Sequence, residues 1–160
     1  MSRPLAWVAL PIALATIAGL SGCPDHDSRL DEAISQYIEQ REAENQGACE
    51  CFHLFLNPDD FNHGNFTSKD ECLTTLTQPP DSEIKSCIKS MLESEGISIS
   101  DSVDIVTCYA NEIAKNAECY MQNAGVCSES ACVSDLATVD VCRGELTPES
   151  ALVLYYCAVQ

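Results

Sequence analysis

The chain has 160 residues, with 25 Asp and Glu against 8 Lys and Arg and a formal net charge of −17. Nucleic acid is excluded as a partner, because phosphate binding runs on Lys and Arg. The acidic residues are spread along the chain, which also argues against a domain lying flat on anionic lipid.

Met1-Ser2-Arg3 carries one positive charge, and Leu5 to Leu20 follows with none. This is the plan of a secretory signal segment. The apolar run falls short of the roughly 20 residues a spanning helix needs, and Pro11 interrupts it. The run ends in Leu20-Ser21-Gly22-Cys23. Residues 1–23 resemble bacterial lipoprotein precursors, and all four positions of the lipobox match. The resemblance implies that the Cys23 thiol takes lipid, palmitate among the acyl chains, and that residues 1–22 are removed. Cys23 then becomes the first mature residue, and residues 23–28 form a lipidated tether. It also implies a bacterial cell-envelope address, with the mature domain exported and held to a membrane. In that family an Asp directly after the lipidated Cys retains the protein at the inner membrane. Pro24 stands there and Asp25 comes one later, so the outer membrane is favoured. The competing readings are an uncleaved anchor and a plain secreted protein.

Without residues 1–22 the chain keeps 138 residues, and 7 basic against 25 acidic groups give a net charge of −18. That length suits a single domain, residues 29–160, with a real core. Ten cysteines remain: Cys49, Cys51, Cys72, Cys87, Cys108, Cys119, Cys127, Cys132, Cys142 and Cys157. An even number in an exported chain reads as a disulfide framework. Roughly a thousand pairings exist, so connectivity stays open. Cys49-x-Cys51-x-His53 is the competing metal reading, since three ligands two apart share one side of an extended segment. The paired C-x₂₋₄-C and H-x₃₋₅-H spacings of zinc sites are missing, so no metal and no cofactor is expected.

The segments between cysteines read as helices. Leu30, Ile34, Tyr37, Ile38 and Arg41 follow one helix face, opened by Ser28 with Asp31 and closed near Gln46-Gly47. The stretch 57–65 is turn chemistry. Ser68-Lys69-Asp70-Glu71 is a capping box opening a short helix that Pro79-Pro80 closes. Asp81 starts a third helix, with Ile84, Cys87, Ile88, Met91 and Leu92 as its stripe and Gly96 as C-cap. A fourth runs from about Ser100-Asp101 to Asn123, with Gly125 as stop. Its Cys108 and Cys119 stand about 16 Å apart on one face and must staple it to different neighbours. A fifth covers about Ser128 to Val141 and carries Cys132; Thr147-Pro148-Glu149 starts a sixth. Only Ile97-Ser98-Ile99 alternates like a strand. The expected fold is all-α: a disulfide-stapled bundle of about five to six short helices behind a lipid-anchored tether. The chain as a whole is similar to small bacterial lipoproteins with a helical, cysteine-studded domain, a type that carries over no functional residues. The cysteine spacings 51→72, 72→87 and 87→108 hint at a duplicated hairpin, but the side chains around them do not match.

Catalytic motifs are lacking: no nucleophile elbow, H-E-x-x-H, phosphate loop or dinucleotide fingerprint occurs. Of three histidines, His26 falls in the tether and His53 and His63 flank a loop. Asp60 to Glu71 partly fits a calcium loop, but Asn65 stands where glycine belongs; an Asx-rich turn before a capped helix explains the same residues. Asn65-Phe66-Thr67 is a glycosylation sequon by accident of sequence. The expected function is a non-enzymatic binding or structural module at the envelope surface, joined to the membrane by lipid and to an envelope protein partner. The alternatives are a ligand or metal-ion carrier, and a hydrolase using His53 or His63 beside a carboxylate.

Overall fold

The computed structural model describes residues 26–55, 65–127, 132 and 135–158. The described elements are α1 (His26–Cys49), a 3₁₀ turn (Phe52–Leu54), α2 (Lys69–Thr75), α3 (Asp81–Ser94), α4 (Ile99–Asn123), α5 (Asp135–Cys142) and α6 (Pro148–Tyr156). The all-α, disulfide-stapled reading holds.

Local chemistry explains most of the boundaries. Ser68 accepts from the Glu71 amide at 3.1 Å. The Glu71 carboxylate reaches back to the amide of Thr67 at 2.8 Å rather than to that of Ser68. The Pro80 carbonyl accepts from Glu83 at 2.8 Å and opens α3. At its other end Gly96 takes φ +70. The Gly96 amide donates to Glu93 and the Ile97 amide to Leu92, at 3.0 and 3.1 Å. That pair of bonds is a Schellman cap, which requires a left-handed residue where Gly96 stands. Ser98 caps α4 by accepting from the Asp101 amide at 3.2 Å. Thr147 caps α6 ahead of Pro148 and accepts from Ser150 at 3.1 Å.

Four expectations are corrected. α1 already includes His26, so residues 26–28 are helical and Ser28 lies inside the helix rather than opening it. α1 also continues past Gln46-Gly47 to Cys49. Gly47 serves contact rather than termination, because a Cβ there would stand 3.0 Å from the Tyr120 Cβ and 3.3 Å from the Ala117 carbonyl oxygen. α4 does end at Asn123, just ahead of Gly125, but the left-handed conformation after it falls on Cys127, with φ 46. Finally, the described α5 is Asp135–Cys142 and Cys132 lies outside it, in a bend; residues 128–131, 133 and 134 lie outside the described residues.

The topology follows from cross-contacts. Leu30 shares a surface with Ser102, whereas Gly47 meets Ala117 and Tyr120. α1 and α4 therefore run parallel and form the central pair. Lys89 meets Asp31 at 2.7 Å near the start of α1, and Asp81 lies by Ile38, so α3 is antiparallel to α1. Ser150 bonds Glu95 at 2.7 Å and Cys157 bridges to Cys87, which makes α6 antiparallel to α3. Cys132 is bonded to Cys119 and Cys142 to Cys108, so α5 returns along α4. Ile34, Tyr37, Ile84, Ile88, Val106, Tyr109, Ile113, Leu154 and Tyr155 are wholly buried in one core. A separate small core of Cys49, Phe66 and Cys72 lies at the α2 end.

All ten cysteines beyond Cys23 are paired: Cys49–Cys72, Cys51–Cys127, Cys87–Cys157, Cys108–Cys142 and Cys119–Cys132. Cys119–Cys132 nests inside Cys108–Cys142, which nests inside Cys87–Cys157. Cys49–Cys72 stands apart from these. Cys51–Cys127 interlaces with every other bridge and spans the longest separation, 76 residues. Cys108 and Cys119 do bond elsewhere than to each other, but both reach the one stretch 132–142 rather than two different helices.

Candidate functional site at the far end of α1

α1 has 24 residues, about 36 Å of rise at 1.5 Å per residue. Its far end meets the far end of α4, because the two run parallel. There the chain leaves α1 through Cys51 into the 3₁₀ turn, and α4 ends toward Cys127. Between them lies a half-open cavity of about 140 Å³, walled by Leu54, Phe55, Tyr120 and Asn123 and by three half-cystines, Cys51, Cys127 and Cys132. Phe55 and Tyr120 meet edge to face at 5.8 Å. Liquid water occupies about 30 Å³ per molecule, so the cavity holds a few waters or one side chain. Its walls mix apolar surface, from Leu54 and the Phe55 and Tyr120 rings, with polar surface in about equal measure.

The sulfur atoms around this cavity are not equivalent. Cys51 is 4 % exposed, whereas Cys127 and Cys132 are half-buried. Cys49 and Cys72 are wholly buried in the small core. Cys142 and Cys157 belong to the main core, with Cys87 and Cys108 packed on it. Two of the five bridges thus open onto one cavity; Cys49–Cys72 is wholly buried, and Cys87–Cys157 and Cys108–Cys142 each keep one half-buried sulfur, that of Cys108 on a separate surface hollow with Asp104 and Glu112.

Cys49 and Cys51 each carry a disulfide, so neither offers a thiolate to a metal beside His53. The segment is helical there rather than extended, which removes the shared side that the metal reading needed. His53 is exposed and its ring meets Phe52 edge-on at 5.6 Å. Among the described residues no group of three His, Cys, Asp or Glu side chains could hold a metal ion. The calcium-loop positions 60–64, with His63, lie outside the described residues; Glu71, the last of that motif, is engaged by Thr67. Asn65 donates its side-chain amide to the His53 carbonyl. Cys23 and the signal segment lie outside the described residues, as does the His26 side chain.

A polar cluster that sequence reading missed sits inside the bundle. Arg41 and Glu44 are each 4 % exposed and pair at 2.5 Å. Arg41 also donates to the Tyr155 hydroxyl at 2.6 Å, and its guanidinium lies 4.4 Å from the centre of the Tyr155 ring. The Tyr37 hydroxyl donates to the Tyr155 carbonyl at 2.6 Å. The signal was present, since Arg41 and Glu44 continue the face of Leu30, Ile34 and Tyr37 at helical spacing. The nearby Tyr109 hydroxyl is pushed up to about 12, by burial first and by the Asp140 charge second. These groups tie α1, α4, α5 and α6 together within the core and do not open onto the cavity.

No helix among the described residues is long and apolar enough to cross a membrane. No protein-family model, curated protein or solved structure matches the chain.

Proposed function

We propose that this chain is a bacterial envelope lipoprotein, anchored through Cys23, whose helical domain acts as a non-enzymatic binding or structural module. The observation that carries the reading is cysteine parity. The ten cysteines from Cys49 onward are consumed by one another. The eleventh, Cys23, is left over, and it is the one that follows Leu20-Ser21-Gly22. Lipidation gives that thiol a chemical fate outside the framework. A single acyl chain binds a bilayer marginally and two or more hold stably, so a diacylglyceryl thioether suits a permanent anchor. The geometry suits display: α1 starts at His26, next to the tether, and its far end, with the cavity, stands about 36 Å off along the helix axis. A surface charge near −18 on the mature chain favours solubility and repels anionic headgroups.

Metabolic labelling with a fatty acid tests the anchor. The wild-type chain takes label and partitions with membranes, and Cys23→Ala takes none and leaves that fraction or stays as precursor. Label persisting in the alanine variant overturns the reading. Crosslinking in intact envelopes then tests the module, with a stoichiometric protein partner as the expected result.

A further inference from the structure

We propose that the cavity at the far end of α1 is a thiol–disulfide exchange site, in which the thiolate of a small, otherwise uncharged thiol attacks Cys127 and opens the Cys51–Cys127 bridge ahead of the other four. The inference goes beyond the anchor and stands whatever Cys23 carries. Three observations converge on this one bond. Cys127 lines the cavity and is half-buried, so its sulfur is the approachable one, while Cys51 is 4 % exposed. Cys127 is also the only non-glycine residue with a positive φ among the described residues, at 46. A side chain held in that conformation is strained, and opening the bridge lets the backbone relax. Strained and exposed disulfides are the labile ones. Lastly, Cys51–Cys127 is the bridge that interlaces with all the others. Opening it leaves three nested bridges and one separate bridge, each closed within its own part of the fold. The bundle stays folded on its main core, which Cys87–Cys157 and Cys108–Cys142 staple.

The step balances as an ordinary exchange. The incoming thiolate forms a bond to the Cys127 sulfur, the bond between the two sulfurs breaks, and Cys51 leaves as thiolate and takes a proton. A second equivalent of the thiol then attacks the reagent's sulfur in the mixed disulfide and releases Cys127 as a thiolate, which takes a proton. Two thiols are oxidised to one disulfide with loss of two electrons, and Cys51 and Cys127 are reduced by two. The cavity of about 140 Å³, faced by Leu54, Phe55 and Tyr120, suits an uncharged thiol with a small apolar body. The anionic surface disfavours a charged one such as glutathione.

The test uses the full chain purified in detergent. It is exposed briefly to limiting 2-mercaptoethanol, quenched in acid, alkylated and mapped by peptide mass, with Cys23 read on its own peptide. The expected first product carries the 2-mercaptoethanol adduct on Cys127 and a free thiol on Cys51. It should form about tenfold faster than any product from Cys49–Cys72, Cys87–Cys157 or Cys108–Cys142. Glutathione at equal thiolate concentration should react more slowly. An adduct on Cys51, earlier opening of any other bridge including Cys119–Cys132, all five opening together, or no preference for the neutral thiol overturns the proposal.

Discussion

The Tyr37 hydroxyl donates to the Tyr155 carbonyl oxygen at 2.6 Å, closing α1 on α6 across 118 positions of sequence. Tyr155 in turn receives Arg41 at its own hydroxyl, so a single residue near the end of the chain collects two polar contacts from the first helix. The C-terminal helix is therefore held by polar specificity as well as by apolar burial. Tyr37→Phe keeps the ring and removes one bond, and is expected to lower stability by about 1 kcal/mol. Glu44→Ala removes a buried carboxylate from Arg41 and is expected to cost about 3–5 kcal/mol. Chemical denaturation of the two variants checks the order; a Glu44→Ala change no larger than that of Tyr37→Phe contradicts the account.

Two glycines should respond to alanine with opposite signs. At Gly47 the added Cβ meets the Tyr120 Cβ at 3.0 Å and the Ala117 carbonyl oxygen at 3.3 Å. Both belong to the α4 backbone or sit directly on it and cannot swing aside. Crowding of this kind costs about 1–3 kcal/mol, more than the roughly 1 kcal/mol by which alanine favours the helix. At Gly125 nothing stands within 4 Å and φ is not positive, so alanine is expected to stabilise by about 0.4–1 kcal/mol. Melting temperatures of the two variants, one below and one above wild type, test the pair.

Tyr109 makes alkaline stability measurable at one side chain. Its folded pKa is raised from an ordinary value of 10.0 to about 12. The native state thus keeps a proton that the unfolded chain loses. The stabilising contribution is complete below pH 10, and unfolding releases a proton above it. Stability then falls by about 1.4 kcal/mol per pH unit until about pH 12. In urea titrations between pH 9 and 12, Tyr109→Phe is expected to show a shallower decline than wild type. Equal slopes would remove Tyr109 from the explanation.

Full reduction should unfold the domain. Each bridge contributes typically about 2–4 kcal/mol, against a net stability of about 5–15 kcal/mol for a domain of this size. Loss of the helical circular dichroism signal on complete reduction in mild buffer is expected, and an unchanged melting curve would count against the framework.

Much of this architecture could be read from the chain because it rests on local chemistry. Ser68 with Glu71, Pro148 after Thr147, and Gly96 after the stripe ending at Leu92 each act within a few residues and do what their patterns imply, save that the Glu71 carboxylate returns to the Thr67 amide. What failed was decided across the fold. Gly47 looks like a helix end until α4 is laid against it. Gly125 marks where α4 stops, but the left-handed turn after it falls on Cys127, which is tethered to Cys51. The cavity was not legible at all, since Phe55 and Tyr120 come from segments that only the α1–α4 pairing joins. The Arg41–Glu44 pair was legible only as a position on the face of α1, because a charged residue on an apolar face is ordinarily a solvated edge rather than a buried partner for a tyrosine at the other end of the sequence.

The order of the half-cystines has a consequence for biogenesis. Taken along the chain, no bridge joins a cysteine to the next one in line; each of the five skips at least one. A polypeptide oxidised as it emerges from a translocation pore would pair neighbours first, Cys49 with Cys51 and then Cys72 with Cys87, and every such bond is wrong. The native set also cannot close until Cys157, the partner of Cys87, has arrived. Under that order of oxidation the mispaired bonds have to be undone and reshuffled, which would make the chain a client of a disulfide isomerase rather than of an oxidase alone. Refolding with an oxidant free of thiol is expected to yield a ladder of isomers on a non-reducing gel, collapsing to one band when a thiol–disulfide buffer or an isomerase is added. A single native band from the oxidant alone would mean that the helices assemble before any sulfur reacts.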